Sequence, residues 1–323
     1  MKKIYTLLIV LLFPINIFAY SEYIIPGGEN IGVEINSKGI VVVGFYKVDG
    51  KYIAKEYINV GDTVLEIEGK EVSSIDNMSK LIEENMVDNE VNIKVLRNNK
   101  VLNTKLKLVK EDEIYKTGLY IKDKVTGIGT LSYIDPETKI YGSLGHRIVI
   151  NESDNLVEIR SGELFKSYVI GVDRSIDGRV GSKSASIDYK NRIGNVLKNT
   201  DVGIFGYYDE ILPNKELIEV ADFDEIKLGK ASIYTTLDNE TVEEFEIEII
   251  GINEEEIDTN KSLSILVTDE RLLENTGGIV QGMSGSPIIQ GDKIIGAVTH
   301  VVVDEVKRGY AVFIRTMLEE GER

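Results

Sequence analysis

A serine held between two glycines, in Gly282-Met283-Ser284-Gly285-Ser286-Pro287, is the segment of this 323-residue chain best suited to covalent chemistry. Glycines on both sides allow a tight turn that pushes the Ser284 hydroxyl outward. The backbone amides of Gly282, Met283 and Ser284 in such a turn can be aimed at the oxygen of an attacked carbonyl, which is how an oxyanion hole is built. Serine is a weak nucleophile at its own pKa and needs a neighbouring base. The chain has only two histidines. His146 follows Tyr141-Gly142-Ser143-Leu144-Gly145 at a strand end, where it can project into a cleft, and is the first candidate. His300 ends the apolar run Ile294 to Thr299 just after the serine loop. Thr299 and His300 are placed to line a substrate cleft, with His300 the second candidate for the base. The third member of such a set is a carboxylate that fixes the histidine tautomer and stabilises its protonated form. Of 54 acidic residues, Asp269 is the best placed, between the apolar strand Leu263 to Val267 and the loop Leu272 to Gly278. Asp173, Asp177, Asp188 and Asp201 also precede the serine in glycine-bearing loops. The chemistry implied is acyl transfer through a serine ester, with Ser286 left as a turn residue.

Two kinds of segment must position these groups. From about Tyr23 to Leu108 the text reads as a small α/β unit. It has β-branched runs at Ile40 to Phe45 and Val64 to Ile67, helical spacing of Ile75, Met78, Leu81 and Ile82, and an alternating hairpin from Val91 through Asn98-Asn99-Lys100 to Leu108. The charged stretch Lys110-Glu111-Asp112-Glu113 marks a boundary. Beyond it come short strands and turns: Gly127 to Ile134, the turn Asp135-Pro136-Glu137-Thr138, and a return from Lys139. Phe245, Ile247 and Ile249 alternate with Glu244, Glu246 and Glu248, a strand with one wet face. Such a pattern suggests a barrel or sandwich. Residues 1–20 open with Lys2-Lys3 and an apolar run to Phe18, the pattern of a signal peptide or an uncleaved anchor.

The text around these groups resembles known families. The serine loop and the strand after it look like the nucleophile loop of trypsin-like peptidases. Val60-Gly61-Asp62 and the strand Val64 to Ile67, with Asn30-Ile31-Gly32-Val33 where a carboxylate-binding loop would stand, resemble a PDZ domain, whose groove binds an extended peptide by strand addition. Tyr141 to His146, Lys198 to Gly206 and Thr276 to Gln290 occur in an order similar to the stage IV sporulation protein B family of serine peptidases from endospore-forming bacteria. The resemblance covers essentially the whole chain. It implies a mainly β protein with three parts: an export segment or membrane anchor (1–20), a PDZ-like domain (22–110) and a trypsin-like double β-barrel peptidase domain (111–323). It implies a triad of Ser284 as nucleophile, His146 as base and Asp269 as acid, with no cofactor. It also implies an exported enzyme that processes itself and cleaves a membrane-bound regulator of an intramembrane protease, between the mother-cell and forespore membranes, so releasing a late sigma factor. Whether the mature form is tethered through its N-terminus or free is left open, as is the role of Ser175 to Lys190.

Composition narrows the alternatives. A net charge of −17 argues against nucleic acid as a partner. The absence of cysteine excludes disulfides, thiol catalysis and cysteine zinc sites. Gly178 to Ser184 lacks the spacing of a phosphate loop, and Glu254-Glu255-Glu256 with Asp258 lacks that of a calcium loop. The rival reading is a catalytically inactive PDZ-containing scaffold.

Overall fold

The computed structural model describes residues 20–98, 100–149 and 159–323. The leader segment expected at 1–20 lies, apart from Tyr20, outside the described residues. Among the described residues no helix is long and apolar enough to cross a membrane.

The first described strands belong to a barrel, not to the PDZ unit. Strand β1 (Tyr23–Pro26) leads into the long strand β2 (Asn30–Phe45), which serves two units in turn. Its first half, with Ile31, Val33 and Ile35, packs in a barrel core, whereas Ile40 and Val42 pack in the PDZ core. Strand β3 (Thr63–Ile67), helix α1 (Ile75–Asn85), β4 (Glu90–Arg97) and β5 (Lys100–Lys107) complete that unit. The sheet order is β2-β3-β4-β5, through Ile40–Val64, Val64–Val95 and Val95–Leu102. Ser74 caps α1 by accepting from the Asn77 amide (3.1 Å), and Met78, Leu81 and Ile82 are its buried face. Removing such a cap typically costs about 1 kcal/mol. The Gly61-Asp62 turn read from sequence has a structural job. Buried Asp62 takes two bonds from Arg97, Nε at 2.7 Å and Nη2 at 2.6 Å, tying β4 to the turn before β3.

Strand β6 (Leu119–Ile134) returns alongside the whole of β2, from Phe45–Leu119 to Asn30–Thr130. It is followed by β7 (Ile140–Ser143), β8 (Ile159–Asp173), β9 (Ser182–Asn195) and β10 (Gly203–Tyr207). These form the first barrel: β2 pairs with β6, β6 with β7, β7 with β10, β8 with β2 and β9. The Gly194–Tyr208 bridge brings β9 to the end of β10. Tyr141, Leu164 and Ile204 fill its core with the β2 residues.

The second barrel closes with six strands: β11 (Gly229–Asp238), β12 (Thr241–Ile252), β13 (Leu263–Val267), β14 (Pro287–Gln290), β15 (Lys293–Val301) and β16 (Arg308–Phe313). Its order is β11-β12-β13-β16-β15-β14 and back to β11. Phe245, Ile247 and Ile249 on β12 face inward, as their alternation predicted. Helix α2 (Glu270–Thr276) lies between β13 and the serine loop, and α3 (Ile314–Glu322) ends the chain. Tyr133 of the first barrel donates to the Met317 carbonyl of α3 (3.2 Å), joining the two barrels behind the cleft. The mainly β class, the PDZ unit and the double barrel therefore agree with the sequence reading. The boundary does not: residues before Ser37 are barrel strand, because their apolar side chains alternate into the barrel core.

Candidate active site

The serine loop precedes β14 of the second barrel and packs directly on the first. Gly282 and Gly285 hold φ of 96° and 93°, conformations that side chains rarely adopt. A Cβ on Gly285 would lie 2.1 Å from the Thr130 carbonyl oxygen and 2.5 Å from the Leu144 amide, so the loop fits only with glycine there. Thr130 fastens it further: its amide donates to the Ser284 carbonyl (2.9 Å) and its hydroxyl to the Gly282 carbonyl (2.8 Å). Met283 is fully buried, and its amide donates to the Val280 carbonyl (3.1 Å). Of the three amides expected in an oxyanion hole, Met283 is thus already spent inside the turn. Among the described residues the Gly282 and Ser284 amides have no hydrogen-bond partner.

His146 and His300 meet in the cleft between the barrels, their rings 5.2 Å apart and tilted by 42°. Ser284, Thr299, His146 and His300 all line this cleft, which has a volume of about 820 Å³. His146 Nδ1 lies 2.8 Å from the Arg147 carbonyl. A carbonyl only accepts, so Nδ1 carries the proton and Nε2 keeps the lone pair that a general base needs. Burial lowers the His146 pKa, and the Arg147 carbonyl opposes this only in part. His300 is pushed down to about 4, by burial first and then by His146 and Lys261. Its Nδ1 is buried without a partner among the described residues. The Ser284 hydroxyl donates to the Thr299 carbonyl (2.9 Å). Thr299 turns its own hydroxyl away, to the Asn260 carbonyl (2.6 Å).

Two expected members of the site lie elsewhere. Asp269 is the N-cap of α2, with its carboxylate accepting from the Arg271 and Leu272 amides (2.9 and 3.2 Å), the Glu246 amide (3.2 Å) and the Arg271 guanidinium (3.0 Å). Burial works to raise its pKa, but Arg271 and these amides outweigh it and hold the carboxyl below its usual range. None of its bonds is to His146, and it does not line the cleft. A carboxylate at a strand end just before a helix is the usual helix cap, and that local use captured it. The Arg147 carbonyl stands where the orienting group would act. Asn30-Ile31-Gly32-Val33 is not a carboxylate-binding loop. It is an inner strand paired with β6 on one side and β8 on the other, so it has no free edge to accept a peptide. A Cβ on Gly32 would lie 2.6 Å from Ile187.

The segment from Ser175 to Lys190 has a role the sequence concealed. The β8–β9 hairpin reaches across to the second barrel and clasps both flanks of the serine loop. The Ser175 amide donates to the Thr276 carbonyl (2.8 Å) and its buried hydroxyl to the Ile279 carbonyl (2.7 Å). Asp177 accepts from the Val306 amide (3.0 Å); across the loop the Lys183 amide donates to the Gln281 carbonyl (2.9 Å) and the Gln281 amide to the Gly181 carbonyl (2.9 Å). The Lys183 stem packs on Gly282, while its ammonium group donates to Thr235 Oγ1 (2.8 Å) in a site only 4% exposed. Burial lowers its pKa to about 7. A lysine flanked by small residues, Ser182-Lys183-Ser184, gave no sign of burial in the sequence.

Among known families, the model of the SpoIVB peptidase S55 family matches residues 113–318, and that of the PDZ domain matches residues 30–108. No curated protein matches the chain. Among solved structures, the inactive form of the Rv3671c protease is 15% identical, with a TM-score of 0.32 over 60% of this chain and 82% of that one. The active form, from M. tuberculosis, is 14% identical, with a TM-score of 0.32 over 59% of this chain and 71% of that one.

Proposed function

Because the chain belongs to the SpoIVB peptidase S55 family, and so is a serine peptidase acting on a protein or peptide, we propose that Ser284 is its nucleophile and His146 its base. The observation that carries this reading is a single cleft holding Ser284, two unpaired amides and a histidine whose Nδ1 is already committed to a carbonyl. In the reaction the Ser284 hydroxyl leaves the Thr299 carbonyl, gives its proton to His146 Nε2 and attacks the peptide carbonyl carbon. The negative oxygen is received by the Gly282 and Ser284 amides, each worth about 10²–10³ in rate when well aimed. His146 then passes the proton to the leaving amine, and water, deprotonated by the same nitrogen, releases the acyl group. The general base contributes roughly 10²–10⁴. Asp269 serves in this reading through the loop it braces, and acts as the acid of a triad only if α2 gives up its cap. Thr299 and His300 flank the bound substrate.

The biological setting follows the family: self-processing near the N-terminus, then cleavage of a membrane-bound regulator of an intramembrane protease in the sporulation pathway that activates a late sigma factor. In this reading the protein works outside the cell membrane, between mother cell and forespore, held by its N-terminal segment or secreted. A second reading, an inactive PDZ scaffold, draws on the Ser284–Thr299 hydrogen bond, which leaves the nucleophile facing a carbonyl instead of a base. Fluorophosphonate labelling of the protein beside its Ser284→Ala, His146→Ala and His300→Ala variants separates them. Adduct on Ser284 that is lost with His146→Ala and kept with His300→Ala is the expected result. Loss with His300→Ala alone exchanges the base, and no adduct on the folded protein supports the scaffold.

A further inference from the structure

Strand β6 is paired on one side only over its first two-thirds. From Leu119 to Gly129 its sole partner among the described residues is β2, and β1 and β7 join it only from Leu131 onward. Which groups face the open side follows from its end. The Thr130 amide donates to the Ser284 carbonyl and the Thr130 carbonyl accepts from the Leu144 amide (3.3 Å), both away from β2. The Asp123 carbonyl faces the other way, accepting from Ser37 Oγ on β2 (3.2 Å). Backbone direction alternates along a strand. The N–H and C=O groups of Ile128, Thr126 and Lys124 therefore point away from β2, into the cleft that these residues line together with Ser284 and His146.

From Lys124 to Ile128 this open edge runs for about 13 Å at roughly 3.3 Å per residue. It starts beside the catalytic serine and ends at the PDZ helix, where Asp123 accepts from the Ile75 amide (2.9 Å). Ile75, Ile121 and Ile148 give the cleft an apolar wall. Lys124 is paired with Glu34 (3.0 Å), while Lys122 has no ion pair among the described residues. An unpaired edge of this length is a template for another strand, and most added strands run antiparallel. Because β6 runs from the PDZ unit toward Ser284, an antiparallel occupant leaves the serine and travels toward α1.

We propose that the edge Lys124–Ile128 of β6 is the substrate track: an extended, proline-poor, acidic stretch on the carboxyl side of the scissile bond adds to it as a strand, reaching from Ser284 to the start of the PDZ helix. The PDZ unit then contributes to recognition by holding the far end of the track at Ile75, and not through Asn30–Val33. This rests on the peptidase reading for the position of the scissile bond.

The test uses the full chain carrying Ser284→Ala, with reduced, carboxymethylated α-lactalbumin as an unfolded, acidic, proline-poor probe, and reads amide hydrogen exchange. Slowed exchange across Lys124–Ile128 on adding the probe is expected. Thr126→Pro removes one outward N–H at an edge position where proline is tolerated, and is expected to weaken probe binding about tenfold. Unchanged exchange in the β11–β16 barrel of that variant confirms that it is folded. Unchanged exchange at Lys124–Ile128 with the probe present overturns the proposal, wherever else protection appears, and so does equal binding by Thr126→Pro. Protection of the edge in a protein whose unmutated form takes no fluorophosphonate sinks the peptidase reading and leaves the track. Labelling without protection sinks the track alone.

Discussion

At Asp269 one carboxylate has two candidate uses, capping a helix or orienting a histidine, and its hydrogen bonds choose the first. Four donors from Glu246, Arg271 and Leu272 already surround it. Replacing it by alanine should therefore cost about 0.5–2 kcal/mol of stability, as expected for a lost N-cap. It should lower kcat/KM by less than about tenfold, because His146 keeps its tautomer through the Arg147 carbonyl. A fall approaching 10⁴, the scale of a lost triad acid, in a variant still folded at the assay temperature would mean that α2 uncaps and Asp269 swings to His146 during turnover. Urea unfolding and steady-state kinetics on the same preparation give both numbers. The residue types of the site were legible because Ser284 and the two histidines are few and their glycines distinctive. The carboxylate was not, because a strand end before a helix start supplies the same sequence signal for either use.

Among the elements, the β8–β9 hairpin matters most beyond the barrels, since its tip fixes the loop that carries the nucleophile. Lys183 is the part of that clasp whose chemistry can be read by pH. Its buried ammonium is lowered to about 7, whereas the unfolded chain titrates near 10.4. Between these values the unfolded chain holds the extra proton, so stability rises as pH rises from about 7 to about 10, by at most about 1.4 kcal/mol per unit. Below about 7 both states are protonated and the slope vanishes. Lys183→Met should remove this rise, seen as a difference in the pH dependence of Tm between the two proteins. Identical slopes would place the amine in water and not under Gly282. No periodicity flags such a lysine: its burial is imposed by Gln281 and Thr235, which come from the other barrel.

For the whole molecule, the interleaving of its units is the main departure from a chain of successive domains. The PDZ unit is inserted between β2 and β6, whose paired halves also build the first barrel. Residues 111–323 alone lack β1 and β2, leaving β6 and β8 without their common neighbour and the core without Ile25, Ile31, Val33 and Ile35. At about 1.5–3 kcal/mol for each fully buried aliphatic side chain, that loss exceeds the few kcal/mol of margin in an ordinary domain. The fragment 111–323 should therefore be unfolded by circular dichroism and one-dimensional NMR, while 20–323 folds. A cooperative melt of the fragment would restore the boundary near residue 110. By itself the sequence determined the mainly β class, the helix and strands of the PDZ unit, the one-wet-face strand β12, the serine turn and the pair of histidines. Each of these is written in local periodicity, in glycine conformations or in the scarcity of a residue type. Only the tertiary structure decided that Asn30–Val33 is inner barrel strand, that Asp269 caps a helix, that Ser175 and Lys183 clasp the serine loop, and that among the described residues β6 lies open between nucleophile and PDZ helix. All four depend on which distant strands become neighbours, and an alternating apolar run states that it has a buried face without stating what it is buried against.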